Sequence, residues 1–293
     1  MVISAHFDLK ATLASGQTFA FVPFDGGFLG IADKRPVWVR ETRDAGGSRS
    51  FGSGQVCPSP RCELHCEPGD AGFWQRYFDL DSGDYAERLA PYTASGSSGG
   101  GEYLAACVRA YPGLRLLRQP VWEALCAFII SANNHQKRIE SIYRAISARR
   151  GDPAALGDRA IFAFPGPEQL ARASEAELRE AGAGYRAPYL LDTARRVAEG
   201  FALDGLDAMD YESALAALTT LRGVGEKVAD CVLLFSTRHG RAFPVDVWME
   251  RTLRERFGMS GPRRALKREA QAVFGEDAGL AQQYLFHAAR SGL

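Results

Sequence analysis

Lys227 and Asp246 are the two residues whose type and setting point most directly to chemistry, and they stand nineteen positions apart. Lys227 lies in "LTTLRGVGEKVADCVLLF", residues 218–235. The segment "YESALAALTTL" before it has the apolar spacing of a helix. That helix breaks at "RGVG", where Gly223 and Gly225 permit backbone angles that other residues resist. A second helix starts at once with "EKVADCVLLFS", so the spacing predicts a helical hairpin over about 213–238. The first amides of the second helix have no partners within it, and they stand at the positive end of its dipole. Such a turn is a place for a phosphate, and the motif alone fits an ordinary corner between packed helices equally well. Arg222, Gly223 and Gly225 are the candidate phosphate contacts.

A cation at the first turn of a helix is electrostatically misplaced. A lysine there, followed by an almost wholly apolar run, suits an amine that must act uncharged as a nucleophile, although a lone lysine can also extend to solvent. Asp246, in "AFPVDVWMERTLRERFG", follows Pro244 and stands where the N-cap of an amphipathic helix belongs. A capping carboxylate that faces a cleft can also take part in catalysis.

These residues need a scaffold, and the chain changes character near its first third. Residues 7 to 40 read as strands: Phe7, Leu9 and Leu13 alternate, "FAFVPFDGGFLGIAD" reads as a hairpin turning at Asp25-Gly26-Gly27, and "PVWVRE" is a further strand. A Gly/Ser/Pro-rich interval follows, then the helical "FWQRYFDL" and a flexible "TASGSSGGGE". From Tyr103 onward the pattern is helical nearly to the end. The expectation is an α+β chain. An N-terminal antiparallel sheet domain with a following helix and loop occupies 1–100, and an all-α body occupies 101–293.

The 35 Lys and Arg balance the 35 Asp and Glu, so net charge does not advertise a nucleic-acid partner. The cations are nonetheless clustered. One set runs through Arg115, Arg118, Lys137, Arg138, Arg144, Arg149 and Arg150. Another runs through Arg251, Arg254, Arg256, Arg263, Arg264, Lys267 and Arg268. Beside the hairpin, both are expected to track phosphates. No run is long enough to cross a bilayer, and "MVISAHFDLK" has no apolar core of signal-peptide length. Six cysteines without a regular framework fit a reducing compartment.

"LRGVGEKVADC" followed by "FPVDV" resembles the helix–hairpin–helix DNA glycosylase superfamily, most closely its 8-oxoguanine DNA glycosylase/AP lyase branch, enzymes of base excision repair. "LASGQTFAF", "GLRLLRQPVWEALCAFIISANNHQKRI", "AGAGYRAPYL" and "GLAQQYLFHAAR" extend the likeness in order from about residue 13 to residue 290. The resemblance implies that Lys227 attacks C1′ of the damaged nucleotide, forming a Schiff base whose β-elimination nicks the strand. Asp246 would stabilise the positive charge developing on the sugar. Cys231 would line the base pocket. The Gly16 carbonyl would accept the N7–H that 8-oxoguanine has and guanine lacks. Gln282 would bind the Watson–Crick edge and Phe286 would stack on the base. Asn133, Arg138 and Arg186 would contact the orphaned cytosine, and Tyr185 would wedge into the duplex. The carbonyls of Thr219, Leu221 and Val224 would hold a monovalent or other hard cation.

The resemblance also implies a monomer acting on duplex DNA containing 8-oxoguanine, with no required cofactor and no membrane. Its place would be the cytoplasm or nucleoid of a bacterium, or the nucleus of a eukaryote. No four-cysteine cluster follows the hairpin, which separates the chain from the iron–sulfur branches. The sequence departs from the pattern in three places. Arg222 stands where proline is common, adding a phosphate contact or altering the turn. Trp248 replaces a histidine near the DNA backbone. Cys57, Cys62, His65 and Cys66 in "CPSPRCELHC" have no counterpart, and their residue types could hold zinc. Two other functions stay open: a monofunctional glycosylase for alkylated bases, which shares the aspartate but lacks the lysine, and a non-catalytic DNA-binding module.

Overall fold

The computed structural model of the chain describes residues 1–42, 60–93 and 100–293. Its N-terminal part is one antiparallel sheet built from β1 (Val2–His6), β2 (Phe21–Phe24), β3 (Gly27–Ala32), β4 (Arg35–Thr42) and β5 (Arg61–His65), in the order β1-β5-β4-β3-β2. The expected hairpin is present. Phe24 pairs with Gly27 across Asp25 and Gly26, both with positive φ, as a two-residue turn between twisted strands requires.

The alternation of Phe7, Leu9 and Leu13 does not make a strand. Asp8 accepts the Ala11 amide at 2.7 Å and caps α1 (Leu9–Ala14), so Leu9 and Leu13 face the core four residues apart on a helix. The segment after the Gly/Ser/Pro-rich interval is also more regular than expected. β5 pairs with both β1 and β4. On that strand Cys62 and Leu64 are buried, as is Cys66 just beyond it, while Glu63 and His65 on the other face are partly exposed. Cys62 hydrogen-bonds the Phe7 carbonyl, and the His65 ring packs tilted against Trp38 with centroids 4.7 Å apart. Strand alternation thus divides the candidate zinc ligands between two faces. Cys57 lies outside the described residues, as does most of the "TASGSSGGGE" loop. Among the described residues no three His, Cys, Asp or Glu side chains are grouped to hold a metal.

The sheet packs on α2 (Ala71–Tyr77), whose Trp74 and Tyr77 join Phe7, Phe21 and Phe78 in one aromatic core. Beyond α3 (Tyr85–Thr93) and α4 (Gly100–Ala110) the chain enters the helical body. Its axis is α5 (Val121–Ser131), buried from Glu123 to Ile130, followed by α6 (Gln136–Arg150). A small hairpin of β6 (Pro153–Leu156) and β7 (Arg159–Phe162) interrupts the expected all-α body, turning at Gly157 with φ +58°. Short helices α7 (Pro167–Ala171) and α8 (Glu175–Glu180) lead to α9 (Ala187–Ala198). The predicted hairpin is α10 (Tyr211–Thr219) and α11 (Glu226–Ser236), and α12 (Val247–Phe257), α13 (Arg263–Phe274) and α14 (Ala278–Ser291) complete the chain. No helix among the described residues is long and apolar enough to cross a membrane.

Candidate active site

Helix α11 is buried from Val228 to Phe235 and packs on α5, where the Phe235 and Phe128 rings stack with centroids 5.5 Å apart. That burial fixes the helix and leaves half-buried Lys227 at its open end, its Nζ 5.8 Å from the Phe128 ring centroid. One turn on, Cys231 is buried beside it. Burial pushes the Cys231 thiol up to about 11, against the opposing pull of the Lys227 amine, so Cys231 is a neutral thiol.

Asp246 caps α12, accepting the amides of Trp248 and Met249 at 3.0 Å each. It lines the same pocket as Lys227, so the cap faces a cleft. Gln282 and Phe286 enter from α14, where spacing i, i+4 sets them on one face. The Gln282 amide nitrogen donates to the Pro244 carbonyl at 3.2 Å, tying α14 to the segment that leads into Asp246. Its Oε1 is buried with no hydrogen-bond partner. An unpaired acceptor in a pocket wall is costly to the empty protein and ready for a donor on a ligand.

Gly16 closes the pocket from the link between α1 and β2. Its φ is +75°, which favours glycine, and a Cβ there would meet Arg290 Nη1 at 3.2 Å and the Phe286 ring at 3.4 Å, a snug fit. Gly16, Lys227, Cys231, Asp246, Gln282 and Phe286 therefore surround one cavity of about 40 Å³, room for a few waters. A cavity of that volume is smaller than a nucleobase, so the pocket must widen to admit one. Sequence reasoning missed two residues here. Gln283 lines the pocket, and Arg290 lies over Phe286 at 5.3 Å. Gln283 acts through its bond to Ser15, a contact between distant parts of the chain that spacing does not reveal, whereas Arg290 stands one helical turn from Phe286.

A second group assembles around the turn after α5. Asn133 adopts φ +50°, and Asn134 closes the helix by donating to the Ile130 carbonyl at 3.2 Å. Tyr185, 48% exposed, donates its hydroxyl to the Ala132 carbonyl. Arg186 is buried, and its guanidinium lies 4.3 Å from the Tyr185 ring. Arg186 donates to the carbonyls of Ala132, Asn133 and Ala183, so most of its donors hold the turn itself. Arg138 lies exposed on the first turn of α6.

At the hairpin, Gly223 has φ +83°, whereas Gly225 has an ordinary φ of −92° and serves as the N-cap of α11. Only Gly223 needs a glycine's backbone freedom. Arg222 lies over the Tyr189 ring at 5.4 Å. The basic runs are less available than their sequence implies. Arg149, Arg150, Arg251, Arg254, Arg263 and Arg264 each pair with a glutamate. Lys267 is not a surface cation: it is buried against Asp230 at 2.6 Å, and Asp230 also accepts the Tyr211 hydroxyl at 2.6 Å. Trp248 is 42% exposed next to the Asp246 cap.

The chain matches known protein families along most of its length. Residues 126–275 match the family model of the HhH-GPD superfamily base excision DNA repair protein, and residues 1–125 match that of the 8-oxoguanine DNA glycosylase N-terminal domain. A probable N-glycosylase/DNA lyase of Methanothermobacter thermautotrophicus is 37% identical over 203 residues, 62% of this chain and 65% of that protein. The N-glycosylase/DNA lyase OGG1 of Arabidopsis thaliana is 38% identical over 187 residues, 59% of this chain and 51% of that protein. The matched segments thus span 65% and 51% of these two curated relatives. The crystal structure of Clostridium acetobutylicum 8-oxoguanine glycosylase/lyase, in complex with duplex DNA containing cytosine opposite 8-oxoguanine, superposes with a TM-score of 0.84. It is 29% identical, with 99% of this chain and 98% of that one covered.

Proposed function

The chain belongs to the HhH-GPD superfamily of base excision DNA repair proteins, and from that membership we propose that it is a bifunctional DNA glycosylase/AP lyase that excises 8-oxoguanine from duplex DNA. The observation that carries this reading is the pocket itself. It sets an amine, a carboxylate, an unpaired buried amide oxygen and an aromatic ring around one cavity, with the amine on the first turn of the helix that follows the glycine hairpin.

The chemistry follows from those groups. A nucleotide leaves the stack and its base enters the pocket. The Lys227 amine attacks C1′, and the C1′–N9 bond breaks with its electron pair leaving on the base, which takes up a proton. Asp246 holds negative charge near the sugar as positive charge develops there. The amine loses a proton and the sugar ring opens to a Schiff base. Loss of a C2′ proton then expels the 3′ phosphate, nicking the strand, and water releases Lys227. The Gly16 carbonyl accepts N7–H of the oxidised base, and Gln282 Oε1 accepts from its Watson–Crick edge. A hard cation at the carbonyls of Thr219, Leu221 and Val224 would add positive charge for a DNA phosphate at the hairpin.

We assign cytosine as the preferred opposite base, read chiefly by Arg138 with Asn133 beside it, while Tyr185 fills the gap left in the duplex. Lys227 in the pocket disfavours a monofunctional alkylation-repair enzyme, which needs no such amine. The test is excision under single-turnover conditions from duplexes carrying 8-oxoguanine, guanine or 3-methyladenine at one position. Release of 8-oxoguanine with strand nicking in the absence of alkali is expected. Release of 3-methyladenine without nicking would overturn the assignment.

A further inference from the structure

Gly16 sits between two clamped carbonyls. On one side Gln283 Nε2 donates to the Ser15 carbonyl at 3.2 Å, joining positions 268 residues apart. On the other, Gln119 Nε2 donates to the Gln17 carbonyl at 2.8 Å. The Gln17 side chain is itself fixed: its amide nitrogen donates to the Arg115 carbonyl at 2.8 Å and its oxygen accepts the Leu117 amide at 2.9 Å. All three glutamines are buried. The one carbonyl between the clamped pair belongs to Gly16, at a φ only glycine adopts freely.

We propose that Gln283 is a positioning residue for base recognition, and that with Gln119 it locks the Gly16 carbonyl in the orientation that discriminates 8-oxoguanine from guanine. The inference rests on the reading that this pocket takes 8-oxoguanine. The two bases differ at N7, which carries a hydrogen in one and a lone pair in the other. A fixed acceptor rewards the first and repels the second. An acceptor on a free glycine could turn away from guanine's lone pair and lose that selectivity. The state of the Gln283 amide points the same way. Its nitrogen has the Ser15 bond, but its Oε1 is buried without a partner. As core filling, an apolar side chain would cost less than an amide with one unsatisfied oxygen. The amide is explained by what its nitrogen holds.

The test compares single-turnover excision of 8-oxoguanine opposite cytosine with β-elimination at a preformed abasic site in the same duplex, for wild type, Gln283→Met and Gln119→Met. An abasic sugar presents no base to read. The ratio of excision to elimination should therefore fall on the order of tenfold, toward the ~100-fold that a displacement of about 1 Å can produce. An unchanged ratio in both variants overturns the proposal, since a tie that merely supports the fold would lower both rates together. If one variant fails to fold, seen as lost circular dichroism, the other decides from the opposite side of Gly16. Unfolding of both would likewise overturn it. Wild-type protein that leaves 8-oxoguanine in place would defeat the functional reading, a result distinct from an unchanged ratio in variants of an active enzyme.

Discussion

The Tyr189 ring occupies the space beside Gly223: a Cβ on that glycine would lie 2.5 Å from Cδ2 of the ring. Tyr189 also meets Tyr185 edge to face, with centroids 6.2 Å apart. The glycine turn of the hairpin and the exposed Tyr185 thus pack on one aromatic ring. Gly223→Ala combines this clash with a left-handed backbone, which alone costs about 1–2 kcal/mol. We expect a lowered melting temperature and weaker duplex binding. Gly225→Ala is the matched control, because its φ is ordinary and its Cβ would meet no atom of the chain within 4 Å. It should lower the melting temperature only by the modest cost of alanine relative to glycine at an N-cap, less than Gly223→Ala does, and thermal melts of the pair check both statements.

Asp246 has two jobs that substitution can separate. Asp246→Asn keeps a good N-cap, so stability should fall by no more than the ~0.3–1 kcal/mol of a lost charge at a helix N-terminus. The rate of base excision should fall by about 10²–10³, the usual effect of removing a preorganised electrostatic group. Melting curves and single-turnover rates on the same preparation distinguish a cap from a catalytic carboxylate.

The two arginines near the opposite base should behave differently. Arg138 is exposed, and the proposed reading gives it the contact to the opposite base. Arg138→Ala should reduce the preference for cytosine over adenine by the ~1–3 kcal/mol typical of a base contact. Arg186 holds the carbonyls of Ala132, Asn133 and Ala183. Arg186→Ala should lower the melting temperature and slow excision opposite every base. Excision rates opposite cytosine and adenine, at one salt concentration, separate the two effects.

Glu123 links the β3–β4 turn to the helical body, accepting the Asp33 amide at 2.7 Å and the Tyr143 hydroxyl at 3.4 Å. Burial pushes its carboxyl up to about 7 from an ordinary value of 4.5. The folded state therefore binds more protons than the unfolded chain between those values, and stability falls as pH rises from about 4.5 through 7. The full penalty is at most about 3 kcal/mol. Glu123→Gln should melt higher than wild type above pH 7, and the gap should close toward pH 5. A gap independent of pH would show that Glu123 does not titrate in this window.

Short-range chemistry was legible in the sequence. The hairpin, Lys227 and Asp246 announce themselves because a glycine turn, a lysine and a capping aspartate act through neighbours a few residues away. What was misread depends on distant partners. Lys267 read as a free surface cation until the fold brings Asp230 against it. Gln283 looked like any helix position because Ser15 lies at the other end of the chain. Leu9 and Leu13 fit a strand and a helix equally, and the Asp8 side chain decides for the helix. Cys62 lay in a segment whose strand pairing requires β1, at the far N-terminus, as well as β4.

The central claim is that Lys227 attacks the sugar carbon, and borohydride trapping tests it most directly. Wild-type protein incubated with an 8-oxoguanine duplex and borohydride should form a covalent adduct, because the Schiff base is reducible, and peptide mapping should place the adduct on Lys227. Lys227→Gln should give no adduct and no nick while still binding the duplex, since phosphate contacts supply much of the affinity. An undiminished adduct in Lys227→Gln, or one mapped to another amine, would contradict the account.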